Sequence, residues 1–338
     1  MSQYAAISSL EGLELEPSLI TLLKNIGIQT ISDLAISVPQ DLSQHCGITD
    51  ERSALDLVIR AKKALIESGK LVKDFSTADN LLERRRNLLR CSTGSSRLDS
   101  FLKGGIETQA MTEIAGEYAC GKTQLCYTIC VTATLPFNKG GFNGSVIFID
   151  TENTFRSERV HQIAENRGIN PDKILQKVFV CKVLNAGQLE LVAQSLGRSI
   201  QEYNAKLVIV DSIISLHRAE FTGRETLAER QKRLNIMLNK LLRLSEVHNI
   251  AVVVTNQVQS QPDNFFADTR GLPKVTGGNI LGHASTYRIL LRKAGKNRIA
   301  IMLDSPYHAY DQTKFSISEK GVYDIEELRN SRNSEPEW

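Results

Sequence analysis

The run Gly116-Glu117-Tyr118-Ala119-Cys120-Gly121-Lys122-Thr123 constrains this chain more than any other feature, because it is a complete G-x-x-x-x-G-K-[ST] phosphate-binding loop. Its flanks supply the context the motif needs. Met111-Thr112-Glu113-Ile114-Ala115 just upstream has the short apolar character of a buried strand, and Gln124 to Leu135 downstream runs without Gly or Pro, as a helix does. A strand–loop–helix unit turns consecutive backbone N–H groups and a helix N-terminus toward phosphate oxygens. Lys122 is then placed to reach the terminal phosphates, and the Thr123 hydroxyl to take one position on Mg²⁺. The pattern predicts a nucleoside triphosphate site.

The surrounding sequence predicts the fold that carries such a loop. Val146-Ile147-Phe148-Ile149-Asp150, Val178-Phe179-Val180, Leu207-Val208-Ile209-Val210-Asp211 and Ile250-Ala251-Val252-Val253-Val254 are near-continuous apolar runs, the signature of strands buried on both faces of a parallel sheet. Helical segments near 156–168, 186–203 and 225–248 separate them. The alternation predicts an α/β, doubly wound core over 92–338. Beyond Tyr287 three or four more strands (287–292, 298–303, 314–318) lack long helices, which predicts an antiparallel extension of the sheet.

At 338 residues the chain is long for one core. Residues 1–70 read as a separate all-helical domain. Leu19, Ile20, Leu22, Leu23 and Ile26 make one apolar stripe ended by Gly27. A second helix begins near Thr30, with Ser32 or Asp33 as its cap, and a third spans roughly Asp50 to Ser68, closed by Gly69. Residues 71–91 read as a linker followed by a charged helix around Asp79–Arg90.

Composition excludes several classes. With 41% hydrophobic and 23% charged residues the chain is an ordinary globular protein. No apolar run reaches the roughly 20 residues of a membrane span, and the N-terminus lacks a signal-peptide pattern, so no membrane partner is expected. Six cysteines (Cys46, Cys91, Cys120, Cys126, Cys130, Cys181) include no C-x-x-C pair, which predicts reduced thiols rather than a disulfide or zinc framework. The net charge of +3 announces no global basic field. Residues 1–75 carry 7 Lys/Arg against 10 Asp/Glu, so any nucleic-acid contact belongs to the larger remainder.

Further chemistry gathers at the strand ends. Asp211, closing an apolar strand and followed by Ser212, has the Walker-B form of a carboxylate that binds Mg²⁺ directly or through water. Glu152, in Asp150-Thr151-Glu152, is the candidate to polarise water in line with a γ-phosphate; its alternative role is to cap the next helix. Gln257, in Thr255-Asn256-Gln257, can sense the γ-phosphate. Two loops follow these strands. One is His217 to Arg224, with Arg218, Phe221 and Arg224; the other is Val258 to Gly282, with Phe265-Phe266, Arg270 and Lys274 among Pro262, Gly271, Pro273, Gly277 and Gly278. Cations interleaved with aromatics can grip a single-stranded backbone and stack bases. From composition alone a protein partner serves equally well.

Taken together these motifs resemble the RadA branch of the RecA-type DNA recombinases, over nearly the whole chain. The resemblance is carried by Gly116 to Gln124, Asp150-Thr151-Glu152-Asn153-Thr154-Phe155-Arg156, Glu107-Thr108-Gln109, Ala228-Glu229-Arg230-Gln231, Gly282-His283-Ala284-Ser285-Thr286 and Asp304-Ser305-Pro306. The Asp-Thr-Glu-Asn-Thr-Phe form is similar to archaeal members. The resemblance implies a RecA-like core and an N-terminal helix–hairpin–helix module. It implies an ATP-dependent ATPase that forms helical filaments (or rings) on single-stranded DNA, pairs it with duplex DNA, and exchanges strands in repair. Recombination mediators are further partners it implies. Location follows as cytoplasmic and nucleoid-associated for an archaeal protein, or nuclear for a eukaryotic one.

Residue by residue, the resemblance assigns Gly116 to Gln124 to the nucleotide, Lys122 and Thr123 to phosphates and Mg²⁺, Glu152 to water activation and Gln257 to γ-phosphate sensing. It places Arg159 against adenine, Asp304 and Pro306 over the neighbouring subunit's nucleotide, and His283 near that interface. It makes the two loops the DNA-binding elements. Phe75-Ser76-Thr77-Ala78 matches the family's oligomerisation segment, in which Phe75 and Ala78 fill pockets at a neighbour's sheet edge; otherwise it is a linker whose Phe packs on its own core.

The chain also departs from the pattern. Ala119 and Cys120 stand where small residues, usually Gly and Ser, are found, and Cys120 beside Lys122 at a helix N-terminus is expected to have a lowered pKa. Ser157 replaces a usual Pro, and Tyr307-His308-Ala309-Tyr310-Asp311 lacks a second Pro after Pro306. In the N-terminal hairpin Gly12-Leu13-Glu14-Leu15-Glu16 a second Gly is missing, and Glu14 and Glu16 oppose duplex binding. Two other readings stand beside a recombinase: an ATP-binding mediator that assists a partner recombinase, and a ring helicase.

Overall fold

The computed structural model describes residues 9–45, 48, 50–73, 75–223, 225–258 and 272–325. Among these, one nine-stranded sheet organises the core. Its strands are β3 (Met111–Gly116), β4 (Ser145–Asp150), β5 (Val178–Lys182), β6 (Ala205–Asp211), β7 (Ala251–Gln257), β8 (Tyr287–Ala294), β9 (Asn297–Asp304), β10 (Gln312–Ser318) and β11 (Gly321–Tyr323). β1 (Arg90–Cys91) and β2 (Ile106–Glu107) form a separate antiparallel pair. The spatial order is β11-β10-β9-β8-β3-β7-β6-β4-β5. Strands β5, β4, β6, β7, β3 and β8 are parallel, and β9, β10 and β11 continue the sheet antiparallel. The expected antiparallel extension therefore starts one strand later, because β8 pairs parallel with β3.

The apolar runs are continuous because both faces are covered. Val146, Phe148, Leu207, Ile209, Ala251 and Val253 pack into one cluster with the helix Lys122–Ala133. Their alternate neighbours Ile147, Ile149, Val208, Val210, Val252 and Val254 pack into another with the helices Ala186–Glu202 and Leu227–His248. The two-residue period of a strand sends successive side chains to opposite layers.

Residues 17–67 form four helices around their own apolar cluster, which includes Leu23, Leu34, Leu42 and Leu65. Helix ends follow local chemistry. Pro17–Asn25 and Glu51–Glu67 each stop in a Schellman turn, with Gly27 and Gly69 at positive φ and closing bonds Ile28 N→Leu23 O and Lys70 N→Leu65 O, both 2.9 Å. The cap of Ile31–Ala35 is Thr30, not Ser32 or Asp33; Asp33 returns the capping box by accepting the Thr30 N–H. This unit docks on the core through Val247, through Arg243 Nη1→Ile36 O at 2.8 Å, and by the approach of Asp33 to Gly197.

Other boundaries shift too. The charged helix runs Ala78–Arg86, because the Thr77 hydroxyl caps it at Asn80 N. The long loop ends earlier than expected, since Gly278–Ala284 is helical. Arg224, Phe265 and Arg270 lie outside the described residues.

Candidate nucleotide-binding site

The carboxyl ends of β3, β4, β6 and β7 meet at one point, outside which ligands bind in open α/β sheets. β3 delivers the phosphate loop. Its glycines are dictated by crowding: a Cβ on Gly116 would lie 2.6 Å from Leu291 O, and one on Gly121 2.6 Å from the Ile317 side chain. Gly121, at φ +107, caps the helix that begins with Lys122 and Thr123. Lys122 Nζ donates to the carbonyls of Gly116 and Glu117, both at 2.9 Å, so the cation already sits over the loop. Glu117, Tyr118 and Ala119 form its exposed tip, with Tyr118 93% exposed. Ala119 takes φ +57, a left-handed conformation that favours glycine.

Asp211, at the end of β6, is buried. Its Oδ2 accepts the Thr123 hydroxyl at 2.7 Å, and its Oδ1 accepts the Thr255 hydroxyl from β7. Burial pushes its carboxyl upward, the two hydroxyls pull it down, and Glu152 pushes it up again. A divalent cation beside Thr123 and Asp211 would relieve that penalty, and a hydroxyl and a carboxylate are the hard oxygen donors Mg²⁺ takes alongside nucleotide phosphates. Among the described residues no cluster of three or more His, Cys, Asp or Glu could hold a metal by itself.

Asp150 does different work from its neighbours. Its two oxygens accept the N–H groups of Glu152, Thr154 and Phe155 at 3.0–3.2 Å, winding the segment after β4 into a tight turn. That turn projects Glu152 to the exposed surface, where Oε1 accepts the Ser212 hydroxyl at 2.8 Å and the Gln257 side-chain amide at 3.2 Å. Gln257 Oε1 in turn accepts Arg218 Nη1 at 3.1 Å. Ser212, Glu152, Gln257 and Arg218 thus form one hydrogen-bonded chain across β6, β4 and β7. Glu152 precedes, rather than caps, the helix Ser157–Asn166; the residue at that N-cap is Arg156.

The remaining expected site residues fall in several places. Gln124 Oε1 accepts Arg159 Nε at 2.8 Å, and the guanidinium also donates to the Ser318 and Glu319 carbonyls, so Arg159 is clamped between the phosphate-loop helix and the β10–β11 hairpin. Asp304, the last residue of β9, and Pro306 just beyond it are exposed, His283 is exposed on Gly278–Ala284, and Lys274 is exposed in the segment before it. Phe221 lies against Arg233, whose guanidinium is 5.0 Å from the ring centre. Phe75 is 96% exposed and does not pack on its own core; Ala78 opens the helix behind it.

Cys120 overturns its expectation. It is fully buried against Gly116, and burial raises its thiol, the opposing pull of Lys122 being smaller. Ser212 and Thr255, which hold the two carboxylates, carried a signal only as the residues beside Asp211 and in Thr255-Asn256-Gln257. No local pattern reveals which carboxylate each would reach.

Comparison with known proteins agrees with this geometry. Residues 84–325 match the family model Rad51. The chain is 42% identical over 322 residues to the DNA repair and recombination protein RadA of Cenarchaeum symbiosum (strain A), covering 95% of this chain and 79% of that relative. With a mostly parallel sheet, a phosphate loop on its central strand and acidic residues at the ends of β6 and β4, the chain belongs to the Rad51 family, in its RadA branch.

Proposed function

We propose that this protein is an ATP-dependent DNA recombinase, a DNA-stimulated ATPase that assembles on single-stranded DNA, pairs it with a homologous duplex and exchanges strands. The observation that carries this reading is the chain Ser212–Glu152–Gln257–Arg218, which joins the carboxylate best placed to orient water to a cation on the segment after β6. In such an enzyme Lys122 and the loop N–H groups hold phosphate oxygens, and Glu152 accepts a hydrogen bond from the attacking water. Thr123 and Asp211 would hold Mg²⁺, which when bound would supply neutralisation of developing phosphate charge. Gln257, bonded to Glu152 on one side and Arg218 on the other, couples the loops to the reaction: Arg218 drawn to a DNA phosphate releases Gln257 to face the γ-phosphate. Arg218, Phe221, Arg224, Phe265, Arg270 and Lys274 form the DNA-binding set in this reading.

Self-association fits the same reading. Of the sheet's two edges, β11 is buried, whereas β5 is partly exposed at Val180 and leads into Leu184, 74% exposed. An open edge with apolar neighbours suits a strand carrying Phe75 from another copy, and a head-to-tail contact of this kind propagates as a helix. Asp304 and Pro306 then reach the next subunit's nucleotide with His283 close to that interface, and Arg159 lies against its own adenine. Residues 1–70, 71–91 and 92–338 serve as helical module, linker with docking segment, and ATPase core. No described helix is long and apolar enough to cross a membrane, and we place the protein with the DNA on which it acts.

The mediator reading requires less of the chain, and the retention of Glu152, Gln257 and Phe75 together argues against it. Two measurements separate the readings: ATP turnover with and without single-stranded DNA, and electron microscopy of the protein with DNA and a non-hydrolysable ATP analogue. A recombinase shows stimulated turnover and long helical filaments. Turnover indifferent to DNA, with no filaments, would reject the proposal.

A further inference from the structure

The turn Asp304-Ser305-Pro306 is bolted to the helix that follows Phe75. Ser305 Oγ closes the turn on itself, accepting the N–H of His308 at 3.2 Å and pairing with His308 Nδ1 at 2.7 Å. Tyr307, next in sequence, lies between two cations: Lys103 Nζ is 4.5 Å from its ring centre and also donates to its carbonyl at 2.8 Å, and the Arg85 guanidinium is 5.4 Å from the ring. Tyr287, the first residue of β8, meets the rings of Tyr307 and His308 edge-on, with centroids 6.0 and 5.4 Å apart. Its hydroxyl donates to Glu107 Oε1 at 2.8 Å.

Glu107 is the hub. Its side chain is 2% exposed and pairs with Arg85 at 2.9 Å and Arg90 at 2.5 Å. Arg85 belongs to the helix Ala78–Arg86, whose capping residue Thr77 is two positions from Phe75. A buried carboxylate held by two guanidiniums and a phenol is a rigid joint, because its oxygens are saturated from three directions and withdrawing the carboxylate would leave both guanidiniums without their counter-charge. This cluster fixes the turn in a chain that lacks a second proline after Pro306.

We propose that Glu107, Tyr287 and Tyr307 are positioning residues that couple the docking segment to the Asp304–Pro306 turn. A protomer docked through Phe75 then presents that turn to its neighbour's nucleotide at a fixed offset. The inference rests on the reading above, in which Phe75 docks the protomer and Asp304 and Pro306 cover the next nucleotide.

The test compares the affinity of the full-length protein for a fluorescent non-hydrolysable ATP analogue, with Mg²⁺ and single-stranded DNA, across four variants. Tyr307→Ala should weaken binding roughly tenfold, the combined scale of one cation–π contact and the ordering of one turn. Tyr307→Phe, which keeps the ring, should restore most of the loss. Tyr287→Phe, which removes only the hydroxyl that reaches Glu107, should weaken binding roughly two- to tenfold with little change in thermal midpoint. Asp304→Ala should weaken it too. All these losses should vanish in a Phe75→Ala background, where protomers do not dock. If Asp304→Ala weakens binding and neither Tyr307→Ala nor Tyr287→Phe does, the coupling is wrong and the covering role of Asp304 stands. If Asp304→Ala has no effect, the covering role fails and the coupling falls with it. Losses that persist with Phe75→Ala would mark the cluster as merely structural and overturn the inference.

Discussion

At the scale of single residues, the proposed reading separates groups that would act on the nucleotide from groups that would aim them. Glu152 has two hydrogen-bond partners and an exposed face, so Glu152→Gln should lower kcat for ATP about a hundredfold or more while nucleotide affinity stays near that of the parent. Ser212 supplies one charge-assisted bond to that carboxylate, and Ser212→Ala should cost about tenfold in kcat at unchanged affinity. Steady-state ATPase assays alongside nucleotide titrations check both; equal losses in affinity would show that these side chains bind rather than orient. Ala119 offers a test of backbone strain. Its φ of +57 costs an L-residue about 1 kcal/mol that glycine avoids, so Ala119→Gly should raise the thermal midpoint by a few degrees. Cys120 is buried with its thiol pushed up, so peroxide should leave nucleotide affinity intact, and among the described thiols Cys181, which is only partly covered, should label before the buried ones.

At the scale of elements, docking between helices is set by small spaces and buried charge. A Cβ on Gly197, in the helix Ala186–Glu202, would lie 2.2 Å from Asp33 Oδ1. Asp33 cannot swing away, because its other oxygen closes the Thr30 capping box. Helix propensity alone predicts that Gly197→Ala stabilises by about 1 kcal/mol. The contact predicts the reverse, a loss of about 1–3 kcal/mol in denaturant unfolding, so the sign of the change decides whether Asp33 seats there. His248, at the end of Leu227–His248, tests the same region by pH. Burial, with Lys70 and Lys206 nearby, holds its imidazole down at about 4. The unfolded chain then takes up the proton first as pH falls below about 6.5, so this stabilising contribution is complete above that value. It is lost between about 6.5 and about 4, amounting to about 3 kcal/mol. His248→Gln should flatten stability across that window.

At the scale of the whole molecule, the proposed docking of Phe75 on the β5 edge belongs to assembly and not to the folding of the protomer. A phenylalanine that is 96% exposed contributes almost nothing to the protomer's own core, so Phe75→Ala should leave the thermal midpoint unchanged while abolishing filaments in micrographs. A fall in midpoint with filaments intact would return this segment to the role of a plain linker. DNA binding should weaken steeply with salt, because a protein of net charge +3 relies on local cations against phosphates.

The sequence by itself determined the phosphate loop, the buried parallel strands, the helices and their glycine stops, because each is written in neighbours a few residues apart and in periods of 2.0 or 3.6. Glu152, Asp211 and Gln257 were legible for the same reason, each closing an apolar run. Tertiary structure alone decided what those residues touch. Ser212 reaches Glu152 from 60 residues away, and Tyr287 reaches Glu107 from 180. The first pairing follows from β4 lying beside β6, and the second from β3 lying beside β8; each adjacency draws distant stretches of chain together. Burial then set the state of Cys120, whose local neighbours pointed the other way: removal from water outweighed one nearby lysine.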